Sequence, residues 1–425
     1  MVEVWLPYGK SEVCLTISAD RLLGSIEPKS KPSPSDLTAE LKNALEKPLG
    51  CSRLSKIAKP GSNVVIVLDK DVAGLPIPHV LSNMMEELEL GGVKRSDITA
   101  ILGSGTGKPL TPNEVKQILV ETPTDLQIEV HNPEDEETLV EVGTTDRRTR
   151  VLLNKKIVDS DLRILIGRID LHPYAGCSGG RQTVITAAGG VRTLHHNYTL
   201  AVDRYSRVGN LDNNPVHLDM VEAAKIAKVD FTMNFVADSD DKDLKVFGGS
   251  LESAFSDGVK YVESLYCVPV EEKADIVVVS SGGQPYDLDL YGALESIERA
   301  VRVVRDGGVI VLVAECSKGY GTSRFYRWVE ELDSIEAVKS ETRKHFTYGL
   351  HKVAQLIHVL NNVKVVLVST LPETISTRVF RFKVAKSAGD GLDLAYRFAG
   401  RRAKVWVLPQ AMETLPTLVS REEAR

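Results

Sequence analysis

Short runs of β-branched and apolar residues recur along the chain, each closed by turn residues and followed by a longer stretch with helical spacing. Six of them, at residues 63–68, 98–102, 163–167, 275–280, 309–314 and 363–369, read as buried strands. Strands alternating with helices predict βαβ units and a largely parallel sheet. The expected fold class is α/β: two α/β domains with largely parallel sheets and a ligand cleft between them. In such sheets, ligands bind in the loops that follow the strands. Function is therefore sought in the loops at residues 69–78, 103–111, 170–182 and 281–287. Val268, Pro269 and Val270, followed by Glu271, Glu272 and Lys273, read as an extended connector, which places the domains at 1–268 and 269–425. Residues 30–35 alternate Pro, Ser and Lys and read as a surface linker.

A chain of 425 residues exceeds what one hydrophobic core organises, which agrees with two domains. Its hydrophobic share of 43% excludes a disordered chain. The formal charge of -6, spread over interspersed acids and bases, argues against a nucleic-acid partner, which would want a basic face. Five cysteines stand without short paired spacing, and the N-terminus carries no secretory signal, so a reducing, cytoplasmic setting is expected. The longest apolar runs fall well short of the roughly 20 residues that cross a bilayer, so no membrane partner is expected.

The segment from Gly103 through Lys108 to Thr111 looks superficially like a phosphate-binding P-loop. The spacing excludes one, because Leu102 stands where that motif needs glycine and Pro109 where it needs Ser or Thr. Thr111, Pro112 and Glu114 instead mark a helix start with a capping box. Backbone N–H groups here and Lys108 are candidates for holding an anion, against a purely structural turn. Asp69, Asp71, Gly105 and Thr106 line these two loops and are assigned to substrate.

In the third loop His172 follows a buried strand directly. That places an imidazole at the sheet's carboxyl edge, where it can act as acid, base or metal ligand. Ser178, Gly179 and Gly180 permit close backbone approach to a ligand. Cys177 reads as packing. His195 and His196, beside Asn197 and Tyr198, are candidate metal ligands together with His172, with surface histidines as the competing reading. In the last loop Gly282 and Gly283 precede a helix expected to run to about Arg305, with Tyr291 in its first turns; core packing competes for that tyrosine.

Taken together these stretches resemble the nickel-dependent lactate racemase family across almost the whole chain. The likeness is carried by residues 142–147, 151–154 and 166–167, by His172 with residues 175–180, and by residues 214–219 and 246–250. It continues at residues 274–283 and at Gly349, Leu350, His351 and Lys352. The resemblance implies inversion of a 2-hydroxy acid by a nickel pincer nucleotide that exchanges a hydride, with paired histidines as bases. His172 matches one of those histidines. Where the other is expected the chain reads Thr106, Gly107, Lys108.

Gln182 stands where the tethering lysine belongs and Tyr198 where the nickel-binding histidine belongs. Leu75 replaces the arginine that would clamp the substrate carboxylate, and of an expected Tyr, Gln and Lys only Tyr291 is kept, with Gly292 and Glu295 in the other two places. The expectation is a racemase or epimerase of a 2-hydroxy acid other than lactate. Its expected catalytic residues are His172, Lys108 and Tyr291, with Ser178, Gly179, Gly180 and Gln182 at the cofactor. The alternative is a non-catalytic homologue that binds a small anion and has lost the nickel cofactor. A cofactor-free hydrolase or lyase ranks last, since no nucleophile has an adjacent base.

Overall fold

A computed structural model describes residues 1–29, 36–105, 110–119, 126–237, 244–344 and 347–419. The chain forms two compact units, Lys31–Ser264 and a second made of Met1–Ser30 with Leu265–Arg425. All six expected strands are present. Residues 30–35, read as a linker, lie outside the described residues, as do Thr106 and Lys108.

The first unit is built on a six-stranded sheet, in the order Leu244–Gly249, Phe231–Ala237, Leu162–Arg168, Val64–Asp69, Ile98–Gly103 and Gln127–Val130. Every pairing is parallel except that of the first two strands. Val64–Asp69 is buried at every position, as a strand covered on both faces must be. Val64, Ile66 and Leu68 pack into a core with Leu41 of the helix Leu37–Glu46 and with Ile77, Leu81 and Met84 of the helix Ile77–Leu90. The helix Arg181–Ala188 packs against Val64–Asp69 and Ile98–Gly103. A Cβ on Gly103 would lie 2.2 Å from the Ala187 Cα, so only glycine admits this helix at that strand end.

The second unit has a six-stranded, all-parallel sheet in the order Lys383–Ala385, Lys364–Val368, Val304–Val313, Ala274–Ser280, Val405–Leu408 and Leu22–Ser25. The expected domain limits of 1–268 and 269–425 need correction, because the first thirty residues join this unit. Leu22–Ser25 pairs with Val405–Leu408, whose edge would otherwise be open. The hairpin Val2–Tyr8 and Ser11–Ile17 sends Leu6, Leu15 and Ile17 into the core around Ile276, Val309 and Val311. Its tip is fixed by the Gly9 N–H, which donates to Asp287 Oδ2 at 2.8 Å. The boundary falls between Ser264 and Leu265. Beyond it, the expected connector is a strand, Cys267–Val270, paired with Leu415–Leu418. The helix expected to reach Arg305 ends at Ala300, because Val304–Val313 begins a strand. Among the described residues no helix is long and apolar enough to cross a membrane.

Candidate functional site

In the unit Lys31–Ser264, three strand ends carry the polar groups. Val64–Asp69 delivers Asp69, which is buried, and Asp71 follows two residues on with Oδ1 buried and no hydrogen-bond partner among the described residues. Burial raises the pKa of both carboxyls. Asp71 is held well above the usual range, first by desolvation and then by the charge of Asp69, while Arg168 and Lys70 pull it back. Both shifts favour the neutral acid over the carboxylate at these two positions. Gly105 lies over Asp69, with a Cβ there 3.5 Å from Oδ1. The capping box at Thr111 and Glu114 is present as expected, but it opens a helix of only seven residues, Pro112–Ile118.

The strand Leu162–Arg168 leads into a short hairpin in which Leu171 pairs with Cys177 and His172 with Gly176. His172 Nδ1 accepts the backbone N–H of Ala175 at 3.1 Å and of Tyr174 at 3.4 Å. The imidazole also meets the edge of Tyr174 at 4.4 Å, and Tyr174 meets Tyr198 at 5.5 Å, both nearly perpendicular. Ser178 closes the loop, its Oγ donating to the Arg168 carbonyl at 2.8 Å and accepting the Asp170 N–H at 2.9 Å.

Gly180, at φ +39°, begins the helix Arg181–Ala188; a Cβ there would stand 3.2 Å from Asn234 Oδ1. Asn234 and Thr232 are fully buried, and neither Asn234 side-chain polar atom nor Thr232 Oγ1 has a partner among the described residues. Gln182 Oε1, on the first turn of that helix, is buried and equally unpartnered.

Arg181, passed over in the sequence, holds this loop together. It is 1% exposed, and its guanidinium donates to the carbonyls of Ala175, Cys177, Ser178 and Gly179 and to His217 Nδ1 at 3.1 Å. It also lies 4.0 Å above the Phe255 ring. Burial lowers the Arg181 pKa to about 9, so the group stays charged at neutral pH. His217 is driven to about 3, first by burial and then by the Arg181 charge, and is neutral there.

Acid therefore destabilises the fold at His217. Its unfolded pKa is about 6.5, so its contribution to stability is complete above that value and is lost as pH falls towards 3. His217→Gln keeps an acceptor for Arg181 and removes the titration. Between about pH 7 and pH 5 the variant is expected to lose roughly 2 kcal/mol less unfolding free energy than the parent, read by urea denaturation at the two pH values.

The helix Val191–Thr199 carries His195 and His196. The expectation that they join His172 at a metal is not met: among the described residues no three His, Cys, Asp or Glu side chains are grouped to hold a metal ion. His196 Nε2 is instead 3.0 Å from the Arg147 carbonyl. Asn197 and Tyr198 occupy the buried face of this helix. Asn197 donates to Asp219, which also accepts the hydroxyls of Thr145 and Thr149.

In the other unit Tyr291 stands in the first turn of the helix Leu290–Ala300, its ring edge-on to Phe325 at 4.9 Å. Glu295 takes the place expected for a lysine, yet a cation is present. Lys352, from the helix Leu350–Asn362, reaches Glu295 at 2.9 Å and the Tyr291 carbonyl at 2.6 Å, with its Nζ 4.1 Å above the Tyr291 ring. The positive charge therefore arrives from a different helix and is neutralised on arrival.

Two largely parallel sheets, with polar residues in the loops after their strands, define an α/β protein of the class that binds ligands at strand ends. The family model for the lactate racemase N-terminal domain matches residues 8–209 and that for the C-terminal domain matches residues 270–415, so the chain belongs to the lactate racemase family. It is 29% identical to a lactate racemase of Thermoanaerobacterium thermosaccharolyticum, over 98% of this chain and 99% of that protein. It is 27% identical to one of Lactiplantibacillus plantarum, over 97% and 99%. The solved structure of the T. thermosaccharolyticum lactate racemase apoprotein superposes with a TM-score of 0.83 at 27% identity, covering 98% of this chain and all of that one. A Thermotoga maritima protein shares the fold, with a TM-score of 0.53 at 19% identity over 86% and 96% of the two chains.

The residues present do not fit a lysine-tethered, histidine-ligated nickel pincer nucleotide. Gln182 offers an amide that cannot form the tether, and Tyr198 packs its ring against Tyr174 where an imidazole ligand is expected. His196 is committed to a backbone carbonyl.

Proposed function

We propose that the chain is a racemase- or epimerase-type isomerase of a 2-hydroxy acid other than lactate, working in the cytoplasm on a small-molecule substrate. The observation that carries this reading is the fixed imidazole of His172 at the sheet edge of a chain similar to lactate racemases over nearly its full length. Leu75 is buried where the family resemblance would put an arginine to clamp a small carboxylate, which disfavours lactate. A larger acid, held through its further hydroxyls, depends less on that clamp, and the unpartnered polar atoms of Asn234, Thr232 and Gln182 suit hydroxyl groups. No step is assigned to a nickel cofactor. None of the five cysteines is in a disulfide, which suits the proposed reducing compartment.

The test is loss of enantiomeric purity, followed by chiral chromatography, across a panel running from lactate to sugar-derived 2-hydroxy acids. The protein is produced with and without the pincer-cofactor enzymes. Inversion of a larger acid but not of lactate, abolished in His172→Asn, is the expected result. Unchanged purity throughout, with a thermal shift on adding small anions, would overturn it in favour of a binding protein.

A further inference from the structure

We propose that the cavity beside His217 is a second small-molecule site, which takes a monocarboxylate with an apolar body and receives its carboxylate on His217 Nε2–H. The inference is independent of the isomerase reading.

The cavity measures about 400 Å³, and all its lining residues belong to the unit Lys31–Ser264. It lies between the helix Pro215–Ile226 and the helix Leu251–Tyr266. Its volume is that of a site for a small organic molecule. Leu211, Val221, Leu251, Phe255 and Val259 supply apolar wall, while Arg181 and His217 bring polar groups to it.

The recognition group follows from Arg181. Its two Nη groups serve the loop carbonyls, and its Nε–H donates to His217 Nδ1 at 3.1 Å. A guanidinium only donates, so Nδ1 is the acceptor and the neutral imidazole carries its proton on Nε2. That nitrogen has no partner among the described residues and is not sealed within the packing, which leaves its N–H as a donor for the cavity that His217 lines. Phe255 stacks on the imidazole, with centroids 5.8 Å apart and planes 24° apart, and so restrains the direction of that donor.

The charge of the ligand follows from what Arg181 lacks. It is buried, and no carboxylate is among its partners in the described residues. Its charge polarises the imidazole that accepts from it, which strengthens Nε2–H as a donor to an anion and repels a cation. The other charges at the cavity are balanced or screened. Glu252 pairs with Lys225 at 2.6 Å and Lys260 with Asp257 at 2.8 Å, while Glu263 is exposed to solvent. The apolar wall adds a second requirement, because only a ligand that brings apolar surface of its own gains from covering it.

The experiment is calorimetric titration of the full chain at neutral pH with octanoate, octanol and octylammonium, which share a tail and differ in the charge of the head. Octanoate is expected to bind one site per chain at least about tenfold more tightly than octanol, with no binding of octylammonium. In protein labelled with 15N-histidine, octanoate is expected to move the His217 Nε2 signal, which is assigned by its absence in His217→Gln. Val221→Trp places a large ring on a half-buried part of the wall and is expected to weaken octanoate by about tenfold or more. The proposal is overturned if octanoate does not bind, if octanol binds as tightly, or if a folded Val221→Trp binds octanoate unchanged. Binding that leaves the His217 signal of the parent protein unmoved overturns it as well, whether or not Val221→Trp folds.

Discussion

Arg181→Met is expected to lower the unfolding free energy by about 4 kcal/mol. The guanidinium is buried without a carboxylate, and its charge is spread over four backbone carbonyls and one imidazole nitrogen. Methionine fills a similar volume against Phe255 but leaves all five acceptors without their donor, each at a cost of about 1–3 kcal/mol before the loop relaxes towards water. Urea denaturation followed by circular dichroism checks the value, because Trp5, Trp328 and Trp406 all lie in the other unit and would not report on this one. Arg181→Lys separates the causes: it keeps the charge but lacks the planar fork, so it should recover less than half of the loss. A change below about 1 kcal/mol in Arg181→Met would mean that the carbonyls find water readily, and that the loop owes its shape to Ser178 and Asn214. The same variant tests how the loop holds His172, because the Ala175 carbonyl and the Ala175 N–H are tied to Arg181 and His172 respectively.

The central strands were legible in the sequence because they are buried on both faces and therefore read as unbroken apolar runs, as at Val64–Asp69 and Ala274–Ser280. The place of the first thirty residues was not. Val2–Tyr8 is mostly half-exposed, and Leu22–Ser25 finds its partner at Val405–Leu408, a pairing no local pattern announces. At the site, His172 was legible as a polar residue directly after a buried strand. Arg181 was not, because a lone arginine reads as a surface residue and this one is buried by carbonyls, His217 and Phe255 that the fold gathers around it. Asn234 and Thr232 did leave a signal, two polar residues at alternate positions of the apolar run Phe231–Ala237, which places both on one face of the strand. His195 and His196 misled because their spacing on a helix says nothing of what its faces touch. The buried face carries Asn197 and Tyr198 instead.

That buried face leads to the second large effect. Asp219→Ala is expected to cost about 3–4 kcal/mol, read by the same denaturation, because it strands three buried donors. Asp219 is fully buried and accepts the Thr145 hydroxyl at 2.6 Å, the Asn197 amide at 2.8 Å and the Thr149 hydroxyl at 2.9 Å. One carboxylate thus joins the turn at residues 144–149, the helix Val191–Thr199 and its own helix, Pro215–Ile226. Asp219→Asn is the milder probe, since one oxygen still accepts while the new amide must find acceptors among groups that donate. Its cost should be smaller, and its catalytic effect informative. Asn197 is the neighbour of Tyr198, whose ring meets Tyr174, whose ring meets His172. If this chain of contacts sets the imidazole plane, Asp219→Asn should lower kcat several-fold while KM stays near the parent's, since binding groups are untouched and only the aim of the imidazole is disturbed. A variant that is destabilised but keeps its full kcat would confine Asp219 to holding the fold together, and would leave the turn at residues 172–175 sufficient by itself to orient His172.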